Sequence, residues 1–583
     1  MVISKKCHIF VRKLMFNAKK QEKKRMENMF TNAMGFEDNG VMTLTENGAV
    51  AHLTTGSLIV DQFGLAGNYR GRDIDDVFED QRAIWDENPS MALRFPFYLR
   101  MVTRKTKITS TKVTERVQNG QGARDESFKR LLWIAKNHND AFLNNIWLLP
   151  IIGSWKDLWA LMFYDIAYKV NSVNHEEMFD LFKWGLLNDS HSELVKKFMP
   201  RIKSAKKCKT DWTIIANKLA KEFATYIGVT FSQYNKLKAS GTAHDFQKVI
   251  CSRQYDKIDW GKIPGRALTM LTTGKFLENH DLTDNYVDWV KAQPVAKFTG
   301  YVFELMKKLR EAKGGTMVYG NAAFYHHMKN VPIAVKYTLD AQFAGLVEQA
   351  KKDGYIKENV LCALDTSGSM NCKVDGLNGT TCGDIATSLA LFFSELNTGA
   401  FHNKVVMFDN KSYPFTLNGD SFCDKVGQLP RVPCGGTNFQ SVIDEIVKIR
   451  ANHPEIPLEE YPTTILVVSD MQFNPSEDHF SPNRYRAVNM TNHELAVDKL
   501  RKVFPSDFVS SLKFVWWNCA SRRQAFEGQS KDNNMMFFSG FDGSALTLLL
   551  GEEPDAEEPS KKLTPEEVVE KVLTQEILNY IKL

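Results

Sequence analysis

From about Asp73 to Gln349 the apolar residues recur at helical spacing, in blocks separated by polar turn residues. Leu131–Ala135, Ala141–Leu149, Trp155–Ile166, Glu176–Leu187, Trp212–Ile227 and Tyr286–Lys308 each predict helix. Helical pairs of this kind stack into an α-solenoid with one continuous inner surface. No strict sequence period is present, and a plain helical bundle satisfies the same pattern. Beyond residue 357 the pattern changes. Val360–Leu364 is an apolar run that climbs into Asp365, and Thr464–Ser469 repeats it before Asp470. Such runs predict buried parallel strands. Alternating with a helix from near Cys382 and another from about Phe439 to Ile449, they predict a doubly wound sheet.

The ends of those strands carry oxygen. Ser367 and Ser369 follow Asp365 at alternate positions, Thr437 sits in the glycine-rich turn 433–439 where a helix begins, and Asp470 ends the second run. Open α/β sheets place ligands at the carboxyl ends of their strands. Carboxylates with neutral hydroxyls suit a hard divalent cation, and Mg2+ first. The hydroxyls would coordinate directly, and Asp365 and Asp470 through the waters that magnesium retains, which leaves a position for an outside carboxylate. A polar insertion from Asn371 to Thr381 precedes the next helix and is placed to cover this site.

In order and spacing, Asp365, Ser367, Ser369, Thr437 and Asp470 resemble the metal-ion-dependent adhesion site of von Willebrand factor A domains, over roughly residues 357–552. The preceding half is similar to the TROVE-type module of the Ro autoantigen ribonucleoproteins, and more so to a related family of plants, fungi and large DNA viruses. The residues that carry this are Thr43–Ala49, Val117–Arg130, Gly153–Leu158 and Ile258–Ala267. The resemblance implies a ring of HEAT-like helical repeats (40–356) closed by a Rossmann-like A domain (357–552). It also implies small structured or single-stranded RNA as the partner. Residues 1–39 form a basic arm, and 553–583 an acidic linker and final helix.

Charge agrees with a polyanionic partner. The net +5 divides unevenly: residues 1–358 hold 54 Lys+Arg against 39 Asp+Glu, and residues 359–583 hold 20 against 30. A basic half can meet nucleic acid, or merely attract the acidic half. The densest run supplies Lys196, Lys197, Arg201, Lys203, Lys206, Lys207 and Lys209. Lys236, Lys238, Arg253 and Arg266 are interleaved with Tyr234 and Tyr255, as at single-strand stacking sites. The basic arm, Lys5 to Arg25, lacks a secretory hydrophobic core and reads as an exposed helix. Near the other end, Thr564, Pro565 and Glu567 predict a capped helix whose apolar stripe, Val568 to Ile581, docks on the A domain.

Other chemistries find little support. No apolar run reaches roughly eighteen residues, so no membrane span is expected. The nine cysteines are scattered without a Cys-x-x-Cys pair, which argues against zinc or a disulfide framework. Cys372 and Cys382 flank the insertion and are expected to stay reduced in a cytoplasmic setting. His326 and His327 are adjacent and face different sides of a helix. No nucleophile–base constellation or phosphate loop occurs, so no enzymatic activity is expected. The expectation is a non-catalytic, cytoplasmic RNA-binding scaffold with a magnesium contact site. The alternative is a protein adaptor that recruits an acidic partner through that metal without RNA.

Overall fold

The computed structural model describes residues 42–102, 104–107, 115–241, 245–298, 300–312, 331–353, 359–374, 377, 379–397, 399–428, 435–475, 490–520, 525–541 and 564–583. The basic arm, Pro433 and Cys434, His326 and His327, and the acidic linker lie outside the described residues. Within them an N-terminal helical region is followed by a mixed six-stranded sheet with helices packed on it.

The sheet contains β5 (Val360–Asp365), β6 (Lys404–Phe408), β7 (Ser412–Thr416), β8 (Thr464–Ser469), β9 (Lys513–Asn518) and β10 (Met535–Ser539), in the order β10-β9-β8-β5-β6-β7. All neighbours are parallel except β6 and β7. β8 and β10 are buried at every residue, as strands covered on both faces must be. β7 is an edge strand, which is why it tolerates Pro414. The helix Cys382–Leu396, capped reciprocally by Thr381 and Asp384, packs on β5. Gln440–Asn452 packs on Asn492–Arg501. From β5 the chain runs first toward β6 and later returns to β8 on the other side. The order therefore reverses between β5 and β8, the position where such sheets bind ligands.

Three predicted helices appear within a residue or two, Trp155–Ala167, His175–Leu187 and Asp211–Tyr226, while the Leu131–Ala135 block lies inside a longer helix, Arg124–Asn137. Three expectations need correction. An antiparallel hairpin, β3 (Arg104–Lys107) with β4 (Glu115–Gln118), interrupts the helical stretch. The block 286–308 divides into Thr283–Lys291 and Val302–Glu311, because Pro294 cannot continue a helix. The final helix stops at Leu573, and a 3-10 turn, Leu578–Tyr580, buries Leu578 with Ile577 and Ile581 beside it.

The two regions share one apolar core. An N-terminal hairpin, β1 (Met42–Leu44) with β2 (Val50–His52), bridges to Phe526 from His52, and the next helix, Leu58–Ala66, lies on β10. Gly67 follows so closely that a Cβ there would sit 2.6 Å from the Ser539 carbonyl oxygen. The final helix, Pro565–Leu573, packs on β10 but also on Leu58–Ala66 and Pro89–Arg100, so it clasps both regions. Two side-chain clamps extend this strap. Gln575 exchanges a pair of 3.0 Å bonds with the Asn119 backbone, and the Asn145 Oδ1 accepts from the Lys582 N–H at 2.8 Å.

Two motifs of the helical half that carried the family resemblance, Val117–Arg130 and Gly153–Leu158, make internal contacts. The fully buried Arg130 guanidinium bonds Glu126 and Gln62 and lies over the Phe95 ring. Asp157 closes a capping box with Ser154 and pairs with Arg100 and Arg124.

Candidate metal centre

Asp365 ends β5 with no exposed surface. Its Oδ1 accepts from the Ser367 N–H at 2.8 Å, which folds the chain back over the strand end. Its Oδ2 accepts from the Ser469 hydroxyl at 2.5 Å, tying β5 to β8. The 3-10 turn Gly368–Asn371, anchored by buried Met370, brings the Ser367 and Ser369 hydroxyls to 3.1 Å of each other. The Ser369 hydroxyl also bonds Asp470, the residue after β8. Four of the five predicted residues therefore form one hydrogen-bonded cluster.

Thr437 arrives on a separate loop. Its N–H donates to Asn474 Oδ1 at 3.1 Å, and the Asn474 N–H returns a 2.9 Å bond to its carbonyl. The Asn438 N–H donates to the Asp409 carbonyl, just past β6, at 2.7 Å. The two preceding glycines leave no room for side chains, since a Cβ at Gly435 would lie 2.2 Å from Asn410 and one at Gly436 2.6 Å from Asn474. This threads the Thr437 loop between the ends of β6 and β8. Its hydroxyl is buried with no hydrogen-bond partner among the described residues. A buried polar atom left so costs about 1–3 kcal/mol.

Electrostatics points the same way. Burial first, then the neighbouring Asp470 charge, push the Asp365 carboxyl up to about 7, against the hydrogen bonds from Ser469 and Ser367. Asp470 is also raised, chiefly by burial, with Glu46 adding repulsion. Among the described residues neither carboxylate has an ion-pair partner. Met471 follows at φ +61°, a left-handed conformation that non-glycine residues rarely hold and that costs of order 1–3 kcal/mol. The site is a knot of oxygen donors with excess negative charge and stored strain. The insertion between Cys372 and Cys382 folds back on itself through Val374 to Thr380 and Cys382 to Cys372 backbone bonds, and neither cysteine is bridged.

The nominated cations divide. Lys196 and Lys197 lie in the last turn of Asp189–Phe198, which packs on the helix Phe231–Ser240 bearing Lys236 and Lys238. Lys238 Nζ donates to the Lys197 carbonyl at 2.9 Å, and burial beside Arg201 holds it below the usual lysine range. Arg201, Lys203, Lys206, Lys207 and Lys209 are exposed along the connection that follows. Arg253 and Arg266 sit on later elements, and Arg266 is paired with Glu304 at 2.9 Å. Tyr234 is no stacking platform. Its ring is wholly buried and its hydroxyl bonds the Pro200 carbonyl.

Sequence reading missed Trp212. Its position in an apolar helical stripe suggested core, yet it is 42% exposed and meets Phe163 edge-on at 4.3 Å. Together with Trp159 and Phe198 the two rings line a cavity of about 210 Å³ whose polar rim includes Lys156, Arg201 and Lys203. The signal was its place directly after the cationic run ending at Lys209.

A family model described as a domain of unknown function (DUF7788) matches residues 359–579. That span takes in the whole six-stranded sheet, all five oxygen-bearing residues and the final helix. The chain is also similar to an uncharacterized protein of Acanthamoeba polyphaga mimivirus, 22% identical over 538 residues, covering 88% of this chain and 85% of that protein. The likeness thus runs through the helical region as well as the sheet, and it is compatible with a family present in large DNA viruses. Neither description names a von Willebrand or TROVE module. No described helix is long and apolar enough to cross a membrane.

Proposed function

We propose that this protein is a non-catalytic RNA-binding scaffold of the Ro-like kind, in which the helical region takes single-stranded RNA and the A-type sheet domain carries a hydrated magnesium ion. The ion's fit rests on the chain's own residues: the Ser367, Ser369 and Thr437 hydroxyls supply neutral oxygens, and Asp365 and Asp470 hold its waters. The buried Thr437 hydroxyl, without a hydrogen-bond partner among the described residues, and two buried carboxylates with no ion pair among them support that assignment. Bound there, the metal would supply the missing positive charge.

The single observation that carries the RNA reading is the Trp212 cavity, an exposed aromatic floor beside three cations. Bases stack on such rings and phosphates pair with the rim. Stacking contributes about 1–3 kcal/mol per base, or about 5- to 150-fold, so Trp212→Ala should weaken binding of a labelled oligouridylate by about fivefold or more in fluorescence anisotropy. Reversing charge at Lys206, Lys207 and Lys209 should flatten the salt dependence. Oligonucleotide binding that is weak, salt-independent and indifferent to Trp212→Ala would favour the adaptor instead.

A further inference from the structure

Thr437 is held by amide side chains from two strand ends. In the turn after β6, Asn410 Oδ1 accepts from the Gly436 N–H at 3.0 Å, and Asn438 Nδ2 donates to the Asn410 carbonyl at 3.3 Å. In the loop that leaves Asp470, Asn474 takes the next residue by both its backbone groups. Its Oδ1 accepts from the Thr437 N–H at 3.1 Å, and its own N–H donates to the Thr437 carbonyl at 2.9 Å. Asn474 is held in turn, since Asn492 Nδ2 donates to its carbonyl at 3.4 Å. Gln440 Nε2, on the helix that follows Thr437, donates to the Asn492 carbonyl at 2.8 Å and to its Oδ1 at 3.0 Å. Thr437, Asn474, Asn492 and Gln440 thus close a circuit, and Asn410 braces it from the β6 end.

Each of these bonds fixes the loop or its supports, and none of them uses the Thr437 hydroxyl. With the backbone pinned on both sides, one torsion places that hydroxyl, and the branched Cβ restricts the torsion further. Magnesium demands near-ideal octahedral oxygens at about 2.0–2.1 Å, whereas calcium takes about six to eight at about 2.3–2.6 Å in a pliable shell. A rigidly placed threonine suits the first ion, and a yielding one suits the second. We infer that Asn410 and Asn474 are positioning residues that set the ion specificity of the site, holding Thr437 where a magnesium-sized cation is favoured over calcium. This rests on the magnesium reading above and deepens it, because the choice of ion then lies with side chains outside the predicted set of oxygen donors.

Outer-shell partners of this kind typically contribute about 10–100-fold in metal affinity. The test uses the full chain, with bound Mn2+ followed by electron paramagnetic resonance and displaced by Mg2+ or Ca2+. Wild type should release Mn2+ to Mg2+ at lower concentrations than to Ca2+. Asn474→Ala, and Asn410→Ala at the exposed end of the clamp, should bind Mg2+ about tenfold more weakly and Ca2+ almost as before, so that the preference collapses. Asn474→Asp keeps an acceptor for the Thr437 N–H. Its added charge should tighten both ions alike and leave the preference in place, which a general loosening of the fold would not do. Urea unfolding in EDTA reports whether each variant is folded, and if Asn474→Ala is not, Asn410→Ala carries the comparison. A wild type without preference, or alanine variants that lose both ions equally or neither, overturns the inference while leaving the metal site standing. If wild type binds no more Mn2+ than Asp365→Asn, the magnesium reading falls and the inference with it.

Discussion

Asp365→Asn should stabilise this protein when metal is withheld and destabilise it, relative to wild type, when magnesium is supplied. The wild-type carboxyl ionises near 3.8 when unfolded and at about 7 when folded. An acid whose folded value is raised binds more protons folded than unfolded between those limits. Stability therefore falls as pH rises from about 3.8 to 7, and the full penalty stands above 7. A displacement of that size corresponds to about 4 kcal/mol. Asparagine keeps the geometry: its oxygen can accept from the Ser367 N–H, and its amide can donate to the Ser469 hydroxyl that previously donated to Asp365. With one hydrogen bond rearranged at a cost of about 1 kcal/mol, a net gain of roughly 3 kcal/mol is expected at pH 7.5 in EDTA. Urea unfolding reads it directly. Added Mg2+ should then raise the wild-type midpoint and leave the variant's in place. A variant less stable than wild type in EDTA would refute the charge argument, because it would mean the carboxylate already has its counter-charge in the protein.

Two further outcomes are expected. Burial pushes Glu527 up to about 8, against a 3.2 Å bond from the His493 backbone N–H, and pushes the His493 imidazole down to about 3. The histidine makes stability rise with pH from about 3 to 6.5, and the glutamate makes it fall from about 4.5 to 8, so the two offset between 4.5 and 6.5. In an Asp365→Asn background, where that carboxyl no longer titrates, Glu527→Gln should remove the fall above 6.5 and unmask the rise below it, as read by thermal midpoints across pH. Gln575→Ala should cost about 1–3 kcal/mol in urea by leaving the Asn119 backbone unpaired, and should speed proteolysis of the last ten residues. Unchanged midpoint and cleavage would mean the strap is not held there.

What the chain disclosed in advance was local. The apolar runs at Val360 and Thr464 needed no tertiary information to read as buried strands, and the Thr564–Glu567 cap is a four-residue signal. Asp365, Ser367 and Ser369 lie on one short turn, so their clustering with Asp470 followed once both strands were parallel neighbours. What could not be read depended on distant chain. Nothing near Thr45 announces Phe473 as its partner, and nothing near Asn119 announces Gln575. Burial of charge was equally hidden. Lys129 and Arg130 carry full charges, yet they lie inside because Asp125, Glu126 and Gln62 surround them. The helical spacing through Trp212 and the interleaving of cations with Tyr234 were both silent on which stripe meets which neighbour.

Anomalous diffraction from a crystal soaked in Mn2+ tests the core of this account. The account predicts one strong peak among the Ser367, Ser369 and Thr437 hydroxyls, on the side facing Asp365 and Asp470. An empty position there, at a Mn2+ concentration that labels other carboxylates in the same crystal, would contradict it.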